Sequence, residues 1–268
     1  MRVCLVATSL LVATKVKLSQ LCYYLFLPHT LHKMSEIQQL PSVHLPLVES
    51  AQASTVLQPV STPPAQTDYE LAMAALKANF NPGLLVFDCD WTLYPFDCDK
   101  DRMAPFTCAP FGEGIYDRFY RPSNPYASVP AIFGAIADAG IPVAFLSRNP
   151  SAAEVRNLLT TIPCQTKTSQ TPKTLWDTMP SHHYFHAYSS NGTGAGKDRH
   201  FAAIHGISGT DFKNMLFFDD MPDNIQAAAK QGTTSVLLTG RRGLTLRAFL
   251  TGLEAWRIGN SPIPSTAS

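Results

Sequence analysis

From about residue 67 onward, short unbroken apolar runs alternate with stretches in which apolar positions recur every three or four residues. Leu84-Leu85-Val86-Phe87 stops abruptly at Asp88. Ile141-Pro142-Val143-Ala144-Phe145-Leu146 stops at Ser147-Arg148-Asn149, and Met215-Leu216-Phe217-Phe218 stops at Asp219-Asp220. Such runs, bounded by polar residues, read as buried strands covered on both faces. Tyr184–Tyr188 and Ser235–Leu238 are shorter candidates. The intervening stretches read as helices. Thr67-x-x-Glu70 forms a capping-box pattern before Leu71 to Lys77. Ser128 caps a helix with Val129, Ile132, Phe133 and Ile136 on one face, ended by Gly140. Pro150 and Ser151 start a helix through Leu159. Further helices are expected over Lys197–His205, ended by Gly206, over Pro222–Lys230, closed by Gly232, and over Leu246–Trp256. This alternation predicts an α/β fold with a doubly wound parallel sheet and helices on both faces. No internal repeat is visible.

The patterned part divides the chain. Residues 1–66 read as a disordered or targeting-like extension, 67–260 as the folded domain and 261–268 as a flexible tail. Pro41, Pro46, Pro59, Pro63 and Pro64 lie among Ser, Gln and Ala in a composition unsuited to building a core. Ahead of them, Arg2 precedes an apolar run from Val3 to Ala13, long enough for a signal-peptide core but too short to span a bilayer. Thr8 and Ser9 interrupt that run, Lys15 and Lys17 follow it, and no small-x-small cleavage site appears. Met34 opens a more ordinary N-terminal sequence, so residues 1–33 also read as an upstream extension. The 268 residues, 45% of them hydrophobic, suffice for one sizeable core. A net charge of +1 gives no global bias toward nucleic acid. Six cysteines without a C-x-x-C pair read as reduced thiols, which suits a cytosolic or nuclear compartment; the expectation is a cytoplasmic protein, and the short Val3–Ala13 run predicts no stable membrane span.

The polar residues that end the strands carry the chemistry. Side chains alternate along a strand, so Asp88 and Asp90 point the same way if strand geometry persists. They would sit at the carboxyl end of a buried strand, where open α/β sheets bind ligands. Their mutual repulsion asks for compensation, and a divalent cation supplies it. Ser147 ends the second strand. Lys197 follows the glycine-rich Asn191-Gly192-Thr193-Gly194-Ala195-Gly196, and Asp219-Asp220 end the third strand. The order D-x-D-x-T, Ser, Lys, D-D resembles the haloacid dehalogenase superfamily of phosphoryl-transfer enzymes. The wording is most similar to its magnesium-dependent phosphatases: Val86-Phe87-Asp88-x-Asp90-x-Thr92-Leu93-x-Pro95-Phe96, Ser147-Arg148, and Phe217-Phe218-Asp219-Asp220-x-x-x-Asn224-Ile225. The resemblance covers roughly Asn81 to Trp256.

The resemblance implies a phosphatase acting on phosphate monoesters, of phosphotyrosine type or small sugar phosphates, through an aspartyl-phosphate. In it, Asp88 is the nucleophile and Asp90 the general acid and base. Mg2+ is held by Asp88, the backbone carbonyl of Asp90 and Asp219, with Asp220 and Asn224 supporting. Asn224 reads equally as a first-turn helix residue. Ser147, Arg148 and Lys197 bind the phosphate. Ser147 alone would read as a helix cap and Arg148 as a surface residue, so both assignments rest on order and context. Large lids in this superfamily follow the first motif or lie between the second and third. Here Asp97–Tyr126 is short and irregular, and Thr160–Ser181 is polar and loop-like. The expectation is a core without a large cap, open to phosphoproteins as well as sugar phosphates. The missing lid disfavours a phosphomutase. A D-x-D-x-T protein serine/threonine phosphatase and a non-catalytic phosphate-binding module remain as alternatives.

Other chemically capable residues read more simply as structural or solvated positions. Lys167 and Lys173 compete with Lys197, but neither follows a strand and a glycine turn. His182 and His186 are four apart in a segment that reads as loop running into strand, where that spacing does not converge on a metal. Trp176 and Trp256 are expected in the core. Asp97, Asp99 and Asp101 mimic part of a calcium loop but lack its glycine and terminal glutamate, and read as a solvated loop.

Overall fold

A computed structural model describes residues 65–77, 81–109, 114–189 and 196–260. Nearly all of the expected N-terminal extension, the tail 261–268 and most of the glycine-rich stretch before Lys197 lie outside the described residues. The frame is a five-stranded, wholly parallel sheet. Its strands are β1 (Leu84–Phe87), β4 (Val143–Ser147), β7 (Phe185–Ala187), β8 (Met215–Asp219) and β9 (Thr234–Leu237). They lie in the order β7-β4-β1-β8-β9. The chain moves outward from β1 through β4 to β7, then returns to the other side of β1 for β8. That reversal makes a switch point at the carboxyl ends of β1 and β8, where crevices open in doubly wound sheets.

Alternation along the strands sorts the core into two layers. Leu85 and Phe87 join Val143, Phe145, Leu216 and Phe218 on one face, under α1 (Asp68–Leu76), α2 (Val129–Ala139), α3 (Ala152–Leu159) and α6 (Leu246–Asn260). Leu84 and Val86 join Ala144, Leu146, Met215 and Phe217 on the other, under α4 (Asp198–Ser208) and α5 (Pro222–Lys230). Phe87 anchors the larger layer, with ring centroids 5.2 Å from Phe218 and 4.8 Å from Phe133.

The local signals hold in part. Thr67 and Glu70 form the expected capping box on α1, and Gly140 ends α2 with φ 69°. The side chains of Ser128 and Ser151 make no cap hydrogen bond; Pro130 opens α2 instead, and the Ser151 hydroxyl donates to Asp99. α4 runs through Gly206 to Gly209, whose φ of 64° supplies the left-handed cap. The polar segment 160–181 is not simply a loop. It contains the antiparallel pair β5 (Pro163–Cys164) and β6 (Lys173–Thr174) and a 3-10 turn over Leu175–Thr178. Ile162, Leu175 and Met179 join the core from it. Segment 97–126 carries a second small pair, β2 (Thr107–Cys108) and β3 (Ile115–Tyr116). No described element forms a large cap over the sheet, and no helix of the described residues is long and apolar enough to cross a membrane. The four described cysteines, Cys89, Cys98, Cys108 and Cys164, are free thiols.

Candidate active site

The strand ends at the switch point deliver the predicted residues to one place. β1 ends at Phe87, but the Asp88 N–H still donates to the Phe218 carbonyl at 3.0 Å, so Asp88 keeps the ladder's orientation. The chain then turns tightly, with the Leu93 N–H donating to the Cys89 carbonyl at 2.8 Å and Trp91 at φ 60°. A tryptophan there costs about 1–3 kcal/mol, and the surroundings must hold it. Arg241 lies over its ring at 4.7 Å, and the Leu244 N–H binds the Thr92 carbonyl at 2.9 Å. The turn leaves Asp88, Asp90 and Trp91 lining a single cavity of about 290 Å³, together with Ser147, Arg148, Asn149, Asp220 and Asn224.

Lys197 is fully buried behind Asp88 and does not itself line the cavity. Its ammonium donates to Asp88 Oδ1 and, at 2.6 Å, to Asp219 Oδ2. Burial alone would push the lysine down, but Asp219 and Asp88 outweigh it and hold the ammonium protonated. For Asp88, burial is the larger influence and raises its carboxyl well above the usual range, with Lys197 pulling the other way. Gly196 makes this approach possible. A Cβ there would lie 2.6 Å from the Asp223 carbonyl oxygen, against the helix that carries Asn224. Asn224 in turn donates its amide to both Asp219 oxygens, at 3.0 and 2.9 Å, and the Met221 N–H reaches Asp219 Oδ1 at 2.7 Å.

Asp90 is held differently. Its oxygens accept the Asn149 side-chain amide at 2.7 Å and the Cys98 N–H at 3.2 Å. Burial nevertheless pushes its carboxyl up, against these donors and Tyr94. That is the direction a general acid working near neutrality needs. Ser147, buried at the end of β4, accepts the Asn149 N–H on its hydroxyl at 3.1 Å, and Arg148 reaches Asn224 Oδ1 at 3.5 Å from an exposed position. Beneath this strand end, His200 is buried and its Nε2 meets the Ser147 carbonyl at 2.8 Å.

Carboxylates outnumber cations here. Oxygens of Asp88, Asp219 and Asp220 lie within 4.8 Å of one another. An all-oxygen, multiply anionic group suits a hard divalent ion. Asp220, placed by sequence in the supporting set, thus stands among the converging carboxylates. Burial and then Asp219 raise it to about 6.

The residues weighed as competitors lie elsewhere. Lys167 pairs with Glu70 at 3.0 Å on the surface, and Lys173 belongs to β6. The rings of His182 and His183 lie 3.9 Å apart at a tilt of 41°, while His186 meets Tyr188 edge-on at 6.3 Å. The sequence expectations give no role to Asn149 or His200. Asn149 had a legible signal, since it lies two residues beyond Ser147 at a strand end. The expectations also misplace Asp97, which is half-buried and lines the cavity.

The chain is similar in sequence to known phosphatases and hydrolases. The family model described as acid phosphatase matches residues 81–258. Human magnesium-dependent phosphatase 1 is 29% identical over 175 residues, covering 65% of this chain and 87% of that protein. A HAD-like hydrolase superfamily protein of Schizosaccharomyces pombe is 25% identical over 170 residues, covering 63% of this chain and 92% of that one.

Proposed function

The chain belongs to the acid phosphatase family, within the haloacid dehalogenase superfamily, and from that membership we propose a magnesium-dependent phosphatase that hydrolyses phosphate monoesters through an aspartyl-phosphate on Asp88. The observation that carries the reading is Lys197 bridging Asp88 and Asp219 beneath a cavity that Asp90 also lines. Lys197 occupies Asp88 Oδ1 and leaves the other oxygen to attack phosphorus as the ester P–O bond breaks. Asp90 gives its proton to the departing oxygen. It then takes a proton from the water that attacks the acyl phosphate, so inorganic phosphate leaves and both carboxyl groups return to their starting forms. Ser147, Arg148 and Lys197 bind the phosphoryl oxygens, Arg148 with a planar fork suited to them. Mg2+ would be held by Asp88, Asp219 and the Asp90 carbonyl, with Asp220 and Asn224 beside them, and would supply charge neutralisation at the transferring phosphoryl group. The name of the human relative supports that metal. The catalytic unit is residues 67–260.

The test separates the carboxylates. Asp88→Asn removes the nucleophile, and turnover and phosphoenzyme should both vanish. Asp90→Asn keeps the backbone carbonyl but not the proton, so it should slow alkyl phosphates more than aryl phosphates in rapid-quench assays. Phosphate trapped by Asp88→Asn, or full activity after exhaustive chelation, would sink the assignment.

A further inference from the structure

The irregular segment after the first motif ends in a tip whose outward face differs from the rest of the surface. Phe119 is 58% and Tyr120 87% exposed, side by side, whereas the other exposed large apolar residues described are scattered singly. The tip is rigidly built. The buried carboxylate of Asp117 accepts the N–H groups of Phe119 at 3.0 Å, Arg121 at 2.9 Å and Met103 at 3.3 Å. It also accepts the Arg121 guanidinium at 2.9 and 2.5 Å. Three backbone bonds close the turn: Asp117 N–H to the Arg121 carbonyl, Tyr120 N–H to the Asp117 carbonyl, and Arg118 N–H to the Met103 carbonyl. This cage holds Tyr120 at φ 59°, a conformation that a bulky side chain rarely adopts. A core carboxylate and a strained tyrosine are thus spent on the shape of an exposed turn, and such strain points toward use.

Asp117 offsets the charge of Arg121, so the unpaired positive charge on that turn is Arg118. The guanidinium groups of Arg118 and Arg121 lie over the Phe119 ring at 5.4 and 5.3 Å. Arg118 is exposed and makes no ion pair among the described residues. The tip is also tied to the cavity wall. Arg102 donates to the Pro122 carbonyl at 3.0 Å, Asp101 accepts the Asp97 N–H at 3.0 Å, and Asp97 and Lys100 line the cavity.

We propose that the tip around Arg118, Phe119, Tyr120 and Arg121 docks an acidic segment of a phosphoprotein substrate whose phosphorylated side chain enters the cavity. This rests on the phosphatase reading and names its substrate class. Preformed Tyr, Phe and Arg side chains are the groups that concentrate binding energy at protein interfaces, and rigidity removes the ordering cost. Two aromatic rings are too little apolar area to hold the chain on a lipid surface.

Steady-state kinetics of the full-length chain on three substrates test this: 4-nitrophenyl phosphate, a phosphopeptide flanked by Asp and Glu, and the same phosphopeptide flanked by Ser and Gly. Arg118→Glu, and separately Phe119→Ser combined with Tyr120→Ser, should raise KM for the acidic phosphopeptide by about tenfold, the equivalent of one hot-spot contact. They should leave kcat and the 4-nitrophenyl phosphate kinetics unchanged, and added salt should erode the acidic preference. Unchanged KM for the acidic phosphopeptide, equal losses on all three substrates, or tip-dependent sedimentation with phosphatidylserine vesicles at unchanged peptide kinetics would overturn the docking proposal. Loss of the phosphatase reading is distinguishable, because it would show as no hydrolysis of any substrate by the wild-type chain. Fluorescence anisotropy of the acidic phosphopeptide on Asp88→Asn, with and without the tip substitutions, reads the docking contact without turnover. Equal affinities there would also overturn it.

Discussion

Acidification should unfold this domain partly through one histidine. His200 is fully buried on α4, stacked on Tyr188 at 4.1 Å. Its Nε2 donates to the Ser147 carbonyl, and its buried Nδ1 makes no hydrogen bond. Protonation would place a charge in the core beside the Lys197 ammonium. Burial first, then the nearby Lys197 ammonium, lower its pKa from 6.5 to about 4, against the pull of the Ser147 and Tyr188 backbones. The folded state therefore refuses a proton that the unfolded chain accepts between those two values. Stability is full above pH 6.5 and falls as pH drops toward 4. Linkage gives a loss of about 2.5 kcal/mol by pH 4.5 from this group alone. Urea unfolding at pH 7 and pH 4.5, for wild type and His200→Gln, isolates it. The variant is expected to be less stable at pH 7, because a packed ring is lost, but to lose about 2.5 kcal/mol less than wild type between the two pH values. Parallel losses in the two proteins, within about 1 kcal/mol, would refute the reasoning.

Two further substitutions probe the groups that hold Asp88 and Asp90. Lys197→Met leaves Asp88 and Asp219 buried without their shared cation, so it should cost about 3–5 kcal/mol, read as a drop in Tm of about 2–4 °C per kcal/mol; a shift below about 2 °C would show that the ammonium is not the compensating charge. Asn149→Ala frees Asp90 from the amide at 2.7 Å and should lower kcat on alkyl phosphates by about tenfold or more, with a smaller loss on aryl phosphates that leave without protonation; equal losses on both esters would mean that Asn149 does not act through Asp90.

The residues legible in the sequence are those whose place a parallel sheet dictates. Once Leu84–Phe87, Val143–Leu146 and Met215–Phe218 are strands, their polar successors must emerge at one edge. Asp88, Ser147 and Asp219 therefore meet without further assumption. Lys197 was readable because a glycine-rich turn preceded it, and Gly196 shows the reason: no Cβ fits between that turn and α5. The same logic fails in the connections. Ile162, Leu175 and Met179 are isolated apolar residues in a polar stretch, with no period to report that they face the core. Gly134 looked like any helical glycine, yet a Cβ there would lie 2.3 Å from the Gln165 carbonyl oxygen, which packs segment 160–181 onto α2.

The illegible part is where single buried polar groups shape the site and its surroundings. Asp90 is oriented by Asn149, 59 residues away, and the exposed tip is shaped by Asp117 reaching Met103, 14 residues back. A local window places Asn149 at a strand end, two residues beyond Ser147, and Asp117 before an arginine, but shows the partner of neither. Their roles come from hydrogen bonds that form only once the sheet has brought the segments together. A sheet edge can thus fix the chemistry of phosphoryl transfer, because that chemistry needs only charges at strand ends. If the tip docks substrate as proposed, what the site accepts depends on a loop whose shape is set by one buried carboxylate. A substitution at Asp117 should therefore alter substrate choice while leaving Asp88, Lys197 and Asp219 in place.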